Sequence, residues 1–360
     1  DVPAEFPAEW MALRPGTDTA LILALARAVV AAGAHDADFL ARYTSGADRF
    51  LAYLSGETDG VEKTPAWAAA ITGMAEERIR ALAERLVGRR VMLTATWSLQ
   101  RARHGEQPYW ALVALAAILG QIGLPGGGVA FGYGSSNGMG NPRYGTPLYS
   151  LPVGDNPVGV HIPVARVADL LLRPGETYRF NGRTETYPDI RLVYWAGGNP
   201  FHHHQDLGRL RKAWEHPDTI LTNEQVWNAA ARHADIVFPA TTTLERSDLG
   251  NAVREGHIIA MKKVLEPFAE ARDDYDIFCA LSRRLGTLEA FGEGLDEMGW
   301  LRRLYDGSAE AAGALGHNLP DFDTFWGMGI VSLAAEDKPV TMFSDFRADP
   351  SAAPLETPSG

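Results

Sequence analysis

Apolar positions recur at helical spacing through the first part of the chain and gather into short continuous runs in the middle. Residues 19–32 place Leu21, Leu25 and Val29 on one helix face, with Thr17 or Asp18 at the cap and Gly33 just past the end. Residues 36–60 read as short helices and turns. Thr64-Pro65 opens a further helix, because proline is tolerated where the first N–H has no partner anyway. In 76–87, Ile79, Leu82, Ala83 and Leu86 share a face. Residues 91–96 predict a buried strand, and 110–122 a helix too apolar all round for a surface element. Periodicity then lapses from Leu124 to Pro157, in a stretch rich in Gly, Ser, Asn and Pro; a segment of this kind suits a functional loop or a linker, and some of it could line a substrate funnel. A helix over 162–172 and a hairpin over 178–186, turning at Asn181-Gly182, follow.

The pattern is most informative between Arg191 and Gly250. Three apolar runs, 192–196, 219–222 and 235–238, each open into a polar loop: Gly197-Gly198-Asn199-Pro200, Asn223-Glu224, and Pro239 with Thr241-Thr242-Thr243. A helical pattern over 203–215 joins the first two, which implies parallel strands with right-handed crossovers. Polar loops at one edge of such a sheet form the place where open α/β folds bind ligands. A strand over 258–264 and a helix over 275–285, entered through Ala271-Arg272-Asp273-Asp274, come next. The remainder reads as acidic and loop-rich, with Trp300, Phe325 and Trp326 as packing anchors. The fold class is α/β with mostly parallel sheets.

Composition narrows the function. With 360 residues, 46% hydrophobic and 22% charged, the chain suits a soluble globular protein of two domains. No apolar run approaches the roughly 20 residues that span a bilayer. A net charge of -12 opposes binding to nucleic acid or anionic membrane, yet leaves room for an anionic small ligand beside local basic groups. The single cysteine, Cys279, leaves no internal disulfide and no thiolate cluster within the chain, and is expected as a small core residue of a helix. Both ends look cut, and no targeting signal fixes a compartment.

Candidate chemistry lies at the loops. Gly16-Thr17-Asp18 is either a plain helix cap or a ligand site whose acid accepts N–H bonds from a base such as guanine. In Trp97-Ser98-Leu99-Gln100-Arg101, Arg101 can fork onto a phosphate and Trp97 can cover a flat ring; a salt bridge and a core tryptophan are the alternatives. His202-His203-His204 lacks ligand spacing for a metal, so one imidazole bonding a ligand or helix end and two in packing is preferred. His233, Asp235 and a serine make no triad without a G-x-S-x-G elbow. Thr241-Thr242-Thr243 with Glu245-Arg246 caps a strand end, or holds a pyrophosphate. The glycines at 126–128 lack the spacing of a dinucleotide fingerprint.

The stretches YWAGGNPFHHHQDL and ARHADIVFPATTTLERSD resemble the molybdopterin oxidoreductase superfamily, in its dimethyl sulfoxide, trimethylamine N-oxide and biotin sulfoxide reductase branch. RPGTDTAL, WSLQRARHGEQPYW, LGQIGLPGGG, AMKKVLEP, EARDDYDIF and DFRADPSAAPLETPSG resemble the same branch in the same order. The resemblance implies two Rossmann-like three-layer α/β/α domains of a larger enzyme. Residues 1–150 would be the C-terminal part of one cofactor-binding domain, 151–345 a second one binding the dinucleotide, and 346–360 a linker towards a further domain. It implies molybdenum (or tungsten) held by bis-molybdopterin guanine dinucleotide, and reduction of an S-oxide or N-oxide by oxygen-atom transfer between Mo(IV) and Mo(VI). The metal-ligand residue would lie before Asp1, so no residue of this chain is assigned to catalysis or to the metal. By motif, Gly16, Thr17, Asp18, Trp97, Ser98, Arg101, Asn199, His203, Asn223, Glu224, Arg246 and Asp274 would bind the cofactor, with Asp276 in place of Asp274 if the register shifts. Asp18 and Asp274 (or Glu224) would accept guanine N–H groups, while Arg101 and Arg246 neutralise pyrophosphates. An electron-donor protein is implied as a partner, and the compartment, periplasmic or cytoplasmic, follows the substrate. A non-catalytic module that holds the pterin dinucleotide is the other reading.

Overall fold

The computed structural model describes residues 5, 7–132, 149–251, 256–333 and 340–360. The chain divides into two units, 1–143 with 336–360, and 144–335. Residues 133–148, part of the glycine-rich stretch read as a functional loop, lie outside the described residues.

The first unit is mainly helical: α1 (Asp18–Ala31), α2 (Ala37–Tyr43), α3 (Ala47–Leu54), α4 (Pro65–Thr72) and α5 (Glu76–Leu86), then β1 (Met92–Thr94), α6 (Gln107–Ile118) and β2 (Gly128–Ala130). α1 lies at the centre, its Ala24, Ala26 and Val29 buried with Ile79 of α5 and Leu115, Ala116 and Ile118 of α6. Caps fall where the sequence places them: Asp36 accepts from the Phe39 N–H, and Thr64 from the Trp67 N–H. Two expectations need correction. α6 is not buried all round, since Trp110 is 69% and Val113 46% exposed, although it packs against α1, α2, β1 and β2. The strand over 91–96 shrinks to β1, which among the described residues pairs in parallel with β2 alone, and its Met92 and Thr94 are exposed. Gly128 explains the glycine run: its φ is +76°, and a Cβ there would come within 2.7 Å of Gln121 O and Ile122 Cα. The run closes the α6–β2 turn. Near the end of the chain, Arg347 donates to the carbonyls of Gly120 and Ile122, and Phe346 is buried beside Tyr43.

The second unit contains α7 (Val167–Leu172), β3 (Thr177–Phe180), β4 (Arg183–Thr186), β5 (Leu192–Ala196), α8 (Pro200–His203), α9 (Leu207–Trp214), β6 (Thr219–Glu224), α10 (Ala229–Arg232) and β7 (Ile236–Pro239). β8 (Asp248–Gly250), β9 (His257–Met261), α11 (Asp274–Leu285), α12 (Leu288–Gly292), α13 (Glu297–Ala314), α14 (Phe322–Met328) and β10 (Ile330–Ser332) complete it. β5, β6 and β7 form the expected parallel sheet, Trp195 opposite Thr222 and Thr222 opposite Val237. The β3–β4 hairpin turns on Asn181 and Gly182 at φ +47° and +76°, the left-handed pair that a two-residue hairpin requires.

Four elements differ from the sequence reading. The helix over 162–172 begins as a 3₁₀ turn, Val164–Arg166, and becomes α-helical only at Val167. The helix over 203–215 is split, because the chain passes through Asp206 at φ +51°, whose carboxylate then caps α9 at the Arg209 N–H. The strand over 258–264 stops at Met261 and lies antiparallel between β8 and β10. The remainder after α11 is helical rather than loop-rich, and Ile258, Leu301, Tyr305, Phe322, Phe325 and Val331 make its core.

Candidate functional site

The carboxyl edge of the β5–β6–β7 sheet gathers polar side chains onto short, fixed turns. After β5, Gly197 and Gly198 take φ of +81° and +73°, a path that glycine follows without strain. Asn199 then caps α8, its Oδ1 accepting from the Phe201 N–H at 3.0 Å. Asn199 is 8% exposed and its Nδ2 is buried without a hydrogen-bond partner. A buried orphan donor is rare, and it suits an acceptor supplied by a ligand.

β6 delivers Asn223, which is 4% exposed. The Tyr194 hydroxyl donates to Asn223 Oδ1 at 2.8 Å, and Asn223 Nδ2 donates to Asp274 Oδ1 at 2.7 Å. Asp274 itself is exposed at the first turn of α11. Burial, offset in part by the Asn223 bond, pushes the Tyr194 hydroxyl up, so it stays a donor. After β7, Ala240 and Arg272 form a parallel bridge, and Thr241 Oγ1 donates to Asp273 Oδ1 at 2.5 Å. These bonds hold the start of α11 against the sheet edge.

Arg246 follows on the next turn. Its Nη1 donates to Thr241 O at 3.3 Å and its Nη2 lies 3.3 Å from Asp248 Oδ2. The turn is built on the buried carboxylate of Glu245, which accepts from the Thr242 N–H, the Thr242 hydroxyl and the Phe268 N–H. Those donors, the Thr242 N–H foremost, hold the Glu245 carboxyl below the ordinary carboxylate range. A depressed folded-state value contributes stability above the unfolded value, and that stability is lost as pH falls through the folded one. Glu245→Gln is therefore expected to lower the melting temperature at neutral pH, with the gap from wild type closing as the medium is acidified. Parallel melting curves at all pH values would refute this role.

A cavity of about 620 Å³ opens beside these groups. It is lined by Arg246, by the carboxylates of Asp248, Asp273, Asp274, Glu293 and Glu297, and by the rings of Tyr275, Phe291 and Trp300. The rings are fixed: Trp300 Nε1 donates to the Tyr275 hydroxyl at 3.1 Å, which donates to Leu295 O at 2.7 Å. Flat rings, acids that accept N–H bonds and one guanidinium suit a heterocyclic base carrying an anionic group.

The structure thus brings Asn223 and Asp274 into direct contact and Arg246 into the cavity with Asp274. Asn199 stands on the next loop of the same edge. His203 ends α8, exposed, and Glu224 is half-buried at the end of β6, its backbone carbonyl accepting from the Ala240 N–H. Asp276, the alternative to Asp274, is exposed in the same first turn of α11. In the first unit, Thr17 occupies the cap position of α1 but its hydroxyl donates to Arg14 O at 2.6 Å, leaving the helix start without a side-chain cap. Gly16 precedes it at φ +77°, with open space where a Cβ would sit, and Asp18 is the first helical residue. The Trp97–Arg101 stretch is a 3₁₀ turn carrying Ser98 and Arg101 exposed. Trp97 is 48% exposed and stacks on Phe131 at 5.5 Å, so it is not a core tryptophan.

The remaining candidates settle into structural roles. His233 stacks on Phe201 with Nδ1 2.8 Å from Ala229 O, and Asp235 accepts from the Ile220 N–H. Cys279 is half-buried. Among the described residues no three His, Cys, Asp or Glu side chains converge as a metal cage, and no helix is long and apolar enough to cross a membrane. Sequence reasoning missed Glu297 and the wall role of Trp300, because both arrive from a helix that it did not foresee.

The second unit is thus a mixed α/β fold whose small parallel sheet has a polar carboxyl edge near an acidic cavity, and comparison with known proteins gives the chain a family. Residues 1–284 match the model of the molybdopterin oxidoreductases, and the chain belongs to that family. It is 52% identical to the biotin sulfoxide reductase of Cereibacter sphaeroides, over 100% of this chain and 48% of that protein. It is 48% identical to the dimethyl sulfoxide/trimethylamine N-oxide reductase of the same organism, over 99% of this chain and 45% of the relative. With the trimethylamine-N-oxide reductase of Haemophilus influenzae the identity is 45%, over 98% and 45%. The chain spans about half the length of these relatives. The acetylene hydratase of Pelobacter acetylenicus shares the fold at a TM-score of 0.53 and 16% identity, over 90% of this chain and 46% of that one.

Proposed function

We propose that this chain is the central portion of a molybdenum enzyme that holds bis-molybdopterin guanine dinucleotide and reduces an S-oxide or N-oxide. When bound, the cofactor supplies the metal that takes the oxygen atom, cycling between Mo(IV) and Mo(VI). The residues of this chain bind and orient it. The observation that carries the reading is the Asn223–Asp274 pair beside Arg246. A carboxylate oriented by a buried amide can accept guanine N–H groups, and a guanidinium lining the same cavity can neutralise phosphate. The orphaned Nδ2 of Asn199 supports a further ligand contact on that edge. The names of relatives more than 40% identical over almost the whole chain support the S-oxide and N-oxide chemistry.

Within this reading the two units are Rossmann-like α/β/α cofactor-binding layers. Gly16, Thr17, Asp18, Trp97, Ser98 and Arg101 serve one guanine dinucleotide, and Asn199, His203, Asn223, Glu224, Arg246 and Asp274 the other. Residues 346–360 lead on towards a further domain. The test uses the natural full-length polypeptide that carries this sequence. It is expected to contain molybdenum and to release guanine nucleotide on acid treatment. Viologen-coupled reduction of biotin sulfoxide, methionine sulfoxide, dimethyl sulfoxide or trimethylamine N-oxide is expected too, with no turnover by the 360-residue chain alone. Full-length protein with neither molybdenum nor guanine nucleotide would overturn the reading.

A further inference from the structure

The site described above has a support that lies outside every motif of the family resemblance. Glu297 opens α13, and its Oε1 accepts from the Ser247 backbone N–H at 2.8 Å. Ser247 sits between Arg246 and Asp248, so this bond fixes the turn that carries the guanidinium. α13 is itself anchored at that end, because Asp296 caps it at the Gly299 N–H at 2.8 Å. Glu297 also faces the cavity into which Arg246 and Asp274 project.

We propose that Glu297 is a positioning residue for Arg246: it holds the guanidinium at the cavity through Ser247, and its charge makes retention of an anionic guanine nucleotide there pH-dependent. The inference rests on the proposed reading of the cavity as a guanine-nucleotide site. The groups around Glu297 are mostly acidic: Asp273 and Asp276 at the start of α11, and Asp248 of β8; Arg246 and Lys263 supply the positive charge. Burial, and then those three aspartates, raise the Glu297 carboxyl above its ordinary range, against the opposing pull of the Ser247 N–H. An ionised Glu297 adds a negative charge beside the one guanidinium that meets phosphate. The neutral form keeps its carbonyl oxygen for Ser247 and removes that repulsion.

The experiment measures GDP binding by calorimetry to the full-length polypeptide, prepared from cells unable to make the pterin, from mildly acidic to mildly alkaline pH. Glu297→Ala removes the acceptor and is expected to weaken GDP about tenfold, the scale of one charge-assisted hydrogen bond. Glu297→Gln keeps an acceptor and loses the charge. It is expected to bind at least as well as wild type, with the ratio of variant to wild-type affinity rising with pH. The titration of the phosphate is common to both proteins and cancels in that ratio. A purely architectural glutamate would give a ratio independent of pH, and that result overturns the proposal even where the alanine variant fails to fold. Arg246→Ala and Asp274→Ala separate the two levels. If they weaken GDP and Glu297→Ala does not, the positioning role alone is wrong. If none of the three matters, the cavity is not the nucleotide site and the inference falls with it.

Discussion

Asp274→Ala is expected to strip guanine nucleotide from the full-length protein while leaving the fold intact. The side chain is exposed, so truncation leaves no internal void. What it removes is the carboxylate that Asn223 Nδ2 holds at 2.7 Å, on an asparagine that is 4% exposed and whose Oδ1 is already committed to Tyr194. A guanine edge offers two N–H donors to such a carboxylate, and each hydrogen bond to a charged group is worth about 1.5–3 kcal/mol. Losing both weakens binding by about two orders of magnitude or more. Asp274→Asn, with a single carbonyl oxygen, should fall between. The measurements are nucleotide released per polypeptide and GDP affinity, with the melting temperature as control. Wild-type nucleotide content in Asp274→Ala would remove this residue from the site, and Asp276→Ala would then be the variant to make. Asp18→Ala tests the helix start of the first unit in the same way.

How much of this was readable in the sequence depends on which interactions set each element. The strands β5, β6 and β7 were legible because each is a short β-rich run closed by residues that end strands, and their loops fall where the apolar run stops. Asn199 therefore follows β5, and Asn223 lies near the end of β6, where the apolar runs put them. The contact between Asn223 and Asp274 spans 51 positions and depends on the Ala240–Arg272 bridge, which no local pattern announces. α13 was missed for a different reason. Its sequence, EMGWLRRLYDGSAEAAGA, is rich in helix formers (Ala, Leu, Arg, Glu), but three glycines interrupt the run and mask the pattern. Yet Trp300, Leu301, Tyr305, Ser308 and Ala312 recur at helical spacing, and all are buried. Asp296, at the cap, was the signal that could have marked its start. Burial of that face offsets the cost of the three glycines. With α13 unread, Glu297 and the wall role of Trp300 could not be assigned. The errors in the first unit run the other way: α6 and β1 are apolar enough to read as buried, but Trp110 and Val113 of α6 and Met92 of β1 are exposed.

Phe325→Ala is expected to be the most destabilising of these substitutions, because it empties the centre of the cluster on which α13 rests. Phe325 is fully buried, lies flat against Tyr305 at a centroid distance of 4.2 Å and 6° between planes, and meets Phe322 edge-on at 6.2 Å. Tyr305 is fixed from the other side by a 2.8 Å bond from its hydroxyl to Pro320 O, and burial pushes that hydroxyl up to about 12. The cluster therefore cannot collapse into the space that the ring leaves. A large-to-small change of this kind costs about 3–5 kcal/mol. For a unit of this size that is about 10 °C in melting temperature. Phe325→Leu, which refills most of the volume, should cost about half as much. Tyr305 lies about two turns of α13 beyond Glu297 and does not line the cavity, so the cavity should survive below the transition, with GDP affinity within about threefold of wild type by the near-additivity of separated sites. A loss of less than about 1 kcal/mol would mean that the Tyr305–Phe325 stack is not what holds α13, and with it Glu297, in place.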